Sequence, residues 1–119
     1  MKIVYIAGPY NAPTFMQIEH NIRDAEATAI ILWNAGFGVF CPHLNTAHFE
    51  VKANASEEQY REFDNRMLYF CDMLYALPTW SSSNGARDEV IIAQEMPIPV
   101  YFDIYMLIGQ QSNVSAGKA

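Results

Sequence analysis

The chain opens on an apolar, β-branched and aromatic run, Ile3-Val4-Tyr5-Ile6-Ala7, closed by Gly8-Pro9, the pattern of a buried strand that stops at a turn. From about Ile18 to Ala35 the spacing changes. Ile22, Ala25, Ala29, Leu32 and Trp33 recur at helical intervals, and Gly36 supplies the stop. Gly38-Val39-Phe40-Cys41 reads as a second buried strand, ended by Pro42 and followed by a polar, irregular stretch from His43 to Ser56. Ser56 with Gln59 forms a capping-box pattern that starts a helix through Tyr60, Phe63, Met67 and Phe70. Met73-Leu74-Tyr75-Ala76-Leu77 is a third strand, Ser81 to Gly85 a small-residue loop, and Ala86 to Glu95 a helix with Val90, Ile91 and Ala93 available for the core. Pro97 and Pro99 frame the turn into a fourth strand, Val100-Tyr101-Phe102. The short run Ile104 to Ile108 is compatible with a helix, a fifth strand or a subunit contact.

Strands alternating with helices predict right-handed crossovers and an α/β, three-layer, flavodoxin- or Rossmann-like fold with a four- or five-stranded parallel sheet. Residues 1–111 are expected to form a single domain and 112–119 a flexible tail. In such folds ligands bind at the C-terminal edge of the strands, so the loops at Gly8-Pro9-Tyr10, Pro42-His43 and Ser81 to Gly85 are expected to gather there.

Composition narrows the partners. A formal charge of −6 disfavours a nucleic-acid polymer, whose binding draws on clustered lysine and arginine, but leaves room for a small anion held by a few N–H donors. No run approaches the roughly 18 apolar residues of a membrane span, so no membrane partner is expected. Cys41 and Cys71 are too few for a disulfide framework, and with no secretory pattern after Met1 the expectation is reduced thiols in the cytoplasm. Gly8 alone is no dinucleotide fingerprint and no Gly-rich Lys-Ser/Thr loop exists, so no cofactor is expected. Cys41-Pro42-His43 with His48 lacks a second ligand pair, and no metal is expected either. His43 is then a ligand-loop hydrogen-bonding group and His48 an exposed loop residue.

Glu89 carries the chemistry. It stands four residues after Gly85, where serine hydroxyls, backbone N–H groups and a helix's positive end would converge, and the dipole is expected to keep it ionised. An acidic residue is also ordinary in a helix's first turn, just as Asp64 is ordinary on a helix surface and Asp72 before a strand. Two carboxylates on different elements shift that balance, because Asp64 and Glu89 together can divide nucleophilic and proton-transfer roles at a glycosidic bond.

Three segments, taken in order, resemble the nucleoside 2-deoxyribosyltransferase-like superfamily, which includes the deoxynucleoside 5′-monophosphate N-glycosidases. They are Val4 to Tyr10; Glu62-Phe63-Asp64 with Asp72 eight residues on; and Ser83-x-Gly85-x-x-x-Glu89, followed by a helix and a proline-led strand. The resemblance implies that Glu89 is the nucleophile at the anomeric carbon, that Asp64 binds the sugar and protonates the leaving base, and that Tyr5 is an active-site tyrosine. Ser83 and Gly85 would receive a 5′-phosphate. Gly8, Pro9, Tyr10, His43, Ser81, Asn84 and Arg87 complete the substrate-binding set, with Asn11 and Arg87 departing from the pattern of relatives. The implied activity is cleavage of a nucleoside or nucleoside 5′-monophosphate by hydrolysis or base exchange. A nucleotide-sequestering protein and an NAD-type glycohydrolase are the alternatives. A homodimer is expected, because Tyr101, Phe102, Tyr105, Met106 and Leu107 exceed what one sheet edge buries.

Overall fold

A computed structural model describes residues 1–110, so the expected tail at 112–119 lies outside the described residues. Four strands, β1 (Ile3–Ala7), β2 (Gly38–Phe40), β3 (Met73–Ala76) and β4 (Val100–Tyr101), form one sheet of order β2-β1-β3-β4. Every pairing is parallel, with Tyr5 in register with Phe40 on one side and Leu74 on the other. The candidate fifth strand is instead helical over 104–110 and puts Leu107 into the core.

Alternation along the central strands creates two cores. Val4 and Ile6 of β1 with Met73 and Tyr75 of β3 pack on Ala25, Ala29 and Leu32 of α1 (Phe15–Asn34), where Leu107 joins them. Tyr5 and Ala7 with Leu74 and Ala76 point the other way, onto Leu68 of α4 (Glu57–Tyr69) and Ala86, Val90 and Ala93 of α5 (Asn84–Glu95). A period of two on each strand thus meets a helical period on both faces, which makes three layers.

Helix ends follow local chemistry. Thr14 caps α1 by accepting from the Gln17 N–H, so the helix starts three residues before the expected Ile18. It stops at a left-handed Gly36, φ 97°, where the Phe37 N–H reaches the Leu32 carbonyl and the Gly36 N–H the Trp33 carbonyl. Ser56 caps α4 through the Gln59 N–H, as the capping-box pattern predicts. Asp72 ties the sheet's entry, accepting from the Ile3 N–H at 2.7 Å.

Several expectations need correction. Ile91, expected to be available for the core, and Trp33, counted in the helical spacing of α1, are about half exposed, because each sits one position off its helix's buried stripe. The stretch after Pro42 is not irregular. It holds two single-turn helices, α2 (Pro42–Asn45) and α3 (Phe49–Lys52). Among the described residues no helix is long and apolar enough to cross a membrane.

Candidate active site

The strand order reverses between β1 and β3, since the chain leaves β1 for β2 on one side and later returns to β3 on the other. Above that switch point the loops leaving the two strands part, and open parallel sheets bind ligands there. A cavity of about 1120 Å³ lies at this edge. Its walls come from all three expected loops: Gly8, Pro9 and Tyr10 after β1, Pro42 and His43 after β2, and Ser83, Asn84 and Gly85 at the start of α5, with Asp64 and Glu89 in the lining.

Tyr5 reaches the site from below. Its side chain is wholly buried in the α4–α5 core, with its ring 5.7 Å from that of Phe40, and its hydroxyl donates to Glu89 Oε2. Burial and the neighbouring carboxylates push the phenol well above its usual range, so it remains a donor. Burial pushes Glu89 up to about 7, while the Tyr5 hydroxyl opposes the rise and Asp64 adds to it. Burial alone raises Asp64 to about 6. The expected dipole control of Glu89 is therefore corrected: α5 begins at Asn84, which leaves Glu89 beyond the first turn, where desolvation dominates.

Carboxylates that repel one another lose their protons as a pair. Near neutral pH the pair Asp64 and Glu89 shares roughly one proton. With Glu89 at about 7, the Tyr5 hydrogen bond included, and Asp64 at about 6, that proton rests more on Glu89, and the tyrosine bond narrows the gap toward the arrangement with Glu89 ionised and Asp64 protonated.

His43 is buried, and its Nε2 is 2.8 Å from the Pro9 carbonyl, tying the β2 loop to the β1 loop. Burial lowers its pKa, which keeps the ring neutral with the Nε2 proton on that carbonyl. His48 is not the exposed loop residue expected. It adopts a left-handed conformation, φ 61°, stacks on Phe15 at 4.5 Å, and places Nε2 2.9 Å from Glu19. Its backbone N–H donates to the Tyr10 hydroxyl at 2.8 Å, and that hydroxyl in turn bonds Glu50. Tyr10 thus fastens the α2–α3 segment over the cavity, a role no local pattern advertises.

The loop residues divide. Ser83 caps α5 by accepting from the Ala86 N–H at 3.2 Å, and Gly85 lies in the cavity wall, where a Cβ would make only an ordinary contact with Ser83 Oγ at 3.9 Å. Ser81 and Arg87, both expected at the substrate, are not in the lining. The Arg87 guanidinium donates to the Ser81 carbonyl and to Asn84 Oδ1, folding back on its own loop. Gly8 is favoured by packing, since a Cβ there would fall 2.3 Å from Leu77 Cδ1. Cys41 and Cys71 are buried free thiols, and among the described residues no group of three or more metal-ligand side chains gathers.

Sequence reasoning passed over Arg61, Asp24, Glu50, Glu57 and Asp88, all in the cavity wall. The signal available for Arg61 was its position three residues before Asp64, which places both on one side of α4.

A parallel α/β sheet with paired carboxylates at its switch point defines a class of small-molecule site. The chain belongs to the family described as Domain of unknown function (DUF4406), whose profile matches residues 2–102. No curated protein shows significant similarity to it. Among solved structures it is similar to a conserved protein from Enterococcus faecalis, at 23% identity and a TM-score of 0.66, covering 84% of this chain and 61% of that one. It is also similar to a 2-deoxyribosyltransferase from Bacillus psychrosaccharolyticus, at 20% identity and a TM-score of 0.58, covering 82% of this chain and 69% of the enzyme. The fold expected from the sequence is therefore the fold of that transferase.

Proposed function

We propose that the protein cleaves the N-glycosidic bond of a nucleoside or nucleoside 5′-monophosphate, most naturally a deoxyribosyl one. The observation that supports this best is the Tyr5–Glu89–Asp64 group: two carboxyls raised toward neutrality, one of them hydrogen-bonded by a buried phenol, in the wall of a ligand-sized cavity. The shared fold of the Bacillus transferase is consistent with it.

In this reading the ionised Glu89 attacks the anomeric carbon as the bond to the base breaks, forming a glycosyl ester. The electron pair of the broken bond leaves with the base, and Asp64 supplies the proton. Attack by water, whose proton returns to the now ionised Asp64, then releases the sugar and regenerates the Glu89 carboxylate; attack by the nitrogen of a second base, its proton likewise passing to Asp64, completes exchange instead. The Tyr5 hydrogen bond holds Glu89 in position and stabilises the charged form in which it reacts. Gly8, Pro9, Tyr10, His43, Ser83, Asn84 and Gly85 position the substrate, and Ser81 and Arg87 brace the loop. A homodimer belongs to the same proposal, since Phe102, Tyr105 and Met106 are 50%, 81% and 66% exposed.

The test is incubation with a panel of nucleosides and 5′-monophosphates, with chromatography for free base. Release from at least one substrate is expected. Tight binding with every ligand recovered unchanged would instead mark a sequestering protein.

A further inference from the structure

We propose that Arg61 is the specificity-determining contact of the cavity, the residue that pairs with an anionic substituent of the substrate and so decides whether a 5′-phosphorylated nucleoside is accepted. The inference rests on the glycosidic reading above for the identity of the sugar, and on the charges in the cavity wall for the rest.

The wall carries the carboxyls of Asp24, Glu50, Glu57, Asp64, Asp88 and Glu89. A phosphate monoester bringing about 1.5 to 2 negative charges meets repulsion from that set unless a cation compensates it. Arg61 is the one lysine or arginine among the described residues of the lining. Arg87, the other arginine near the loop, spends its donors on Ser81 and Asn84.

Arg61 remains available for the task. Its ion pair with Glu57 spans 3.6 Å, with the two side chains 54% and 73% exposed, so water competes for both ends and little binds the guanidinium in place. It precedes Asp64 by three residues on α4, on the same side of the helix. Its charge also reaches Glu89, opposing the upward shift that burial imposes there. The guanidinium therefore acts on the reacting end of the cavity rather than on remote surface. Its planar fork matches a phosphate's paired oxygens. The N-terminus of α5 beside Gly85 contributes only about half a unit of positive charge, too little to offset so many carboxylates alone.

Calorimetry with deoxyribose 5-phosphate and with deoxyribose, on the wild type, Arg61→Gln and Arg61→Lys, tests this without requiring turnover. The wild type is expected to prefer the phosphorylated sugar. Arg61→Gln is expected to weaken that ligand by about tenfold or more while changing deoxyribose by less than about twofold, with Arg61→Lys recovering part of the loss. Deoxyribose is the control for any indirect effect through Glu89. Equal losses for both sugars, no loss for either, or no phosphate preference in the wild type would overturn the proposal. Base-release assays on the same proteins separate the two claims. Phosphate-selective loss with no release from any substrate refutes the glycosidic reading and leaves Arg61 as an anion contact. Release whose KM responds to Arg61→Gln equally for nucleosides and monophosphates refutes the role of Arg61 alone.

Discussion

Tyr5→Phe isolates the hydrogen bond at the centre of the site. The substitution keeps a ring that is fully buried and packed near Phe40, and removes only the oxygen that donates to Glu89. A hydrogen bond to a charged acceptor contributes about 1.5–3 kcal/mol, and a tenfold change in proton affinity corresponds to about 1.4 kcal/mol. Glu89 also borders the cavity, where water partly replaces the lost donor, so the lower end applies. The bond favours the ionised carboxylate, so its loss moves the Glu89 midpoint upward, from about 7 toward about 8. At about pH 7 the ionised fraction then falls roughly fivefold, and the two proteins converge above about pH 9. Two measurements follow the shift: kcat/KM for base release against pH, and carboxyl carbon NMR titration, which needs no turnover. A midpoint that stays or falls, or a loss of activity equal at every pH, would refute the reasoning.

Three further outcomes follow from the same geometry. Asp64 and Glu89 bind protons more tightly folded than unfolded, their carboxyls being raised from 3.8 to about 6 and from 4.5 to about 7. Their stabilising contribution is therefore complete below the unfolded values and lost as pH rises through about 6 to 7, so thermal unfolding should show stability declining across that window and Glu89→Gln flattening the decline; a steeper decline in the variant would contradict this. Gly8→Ala forces a methyl against Leu77 and should cost about 1–3 kcal/mol in urea denaturation, a cost that Gly8→Ala combined with Leu77→Val reduces; an additive double variant would argue against the clash. Gly85→Ala meets nothing closer than Ser83 Oγ at 3.9 Å, so it should stabilise by about 0.4–1 kcal/mol while weakening ligand binding; unchanged affinity would mean no ligand approaches that backbone.

Much of this was legible in the chain because the signals are local. The unbroken apolar run Ile3 to Ala7 marks a strand buried on both faces, and the Ser56–Gln59 and Gly36 patterns mark helix ends that the structure places within a residue. The gathering of Gly8, His43 and Gly85 follows from parallel topology, which a count of alternating elements implies. What escaped depends on contacts across the chain. The left-handed turn at His48 is supported by Glu19, Phe15 and Tyr10, 29 to 38 residues away, and nothing near position 48 encodes them. The protonation of Glu89 is not legible locally, because a dipole is a property of one helix, whereas desolvation comes from every element packed around the group. The position of Arg87 in the loop motif suggests a substrate contact and does not reveal that its guanidinium bonds Ser81 and Asn84.

The most direct test of the central claim compares the wild type and Glu89→Gln side by side for release of free base from deoxynucleosides and deoxynucleoside 5′-monophosphates, with circular dichroism to establish that both are folded. Base released by the wild type and reduced to the blank in Glu89→Gln is the expected result. Equal release from the two proteins would contradict the role of Glu89, and no release from the wild type on any substrate would contradict glycosidic cleavage itself.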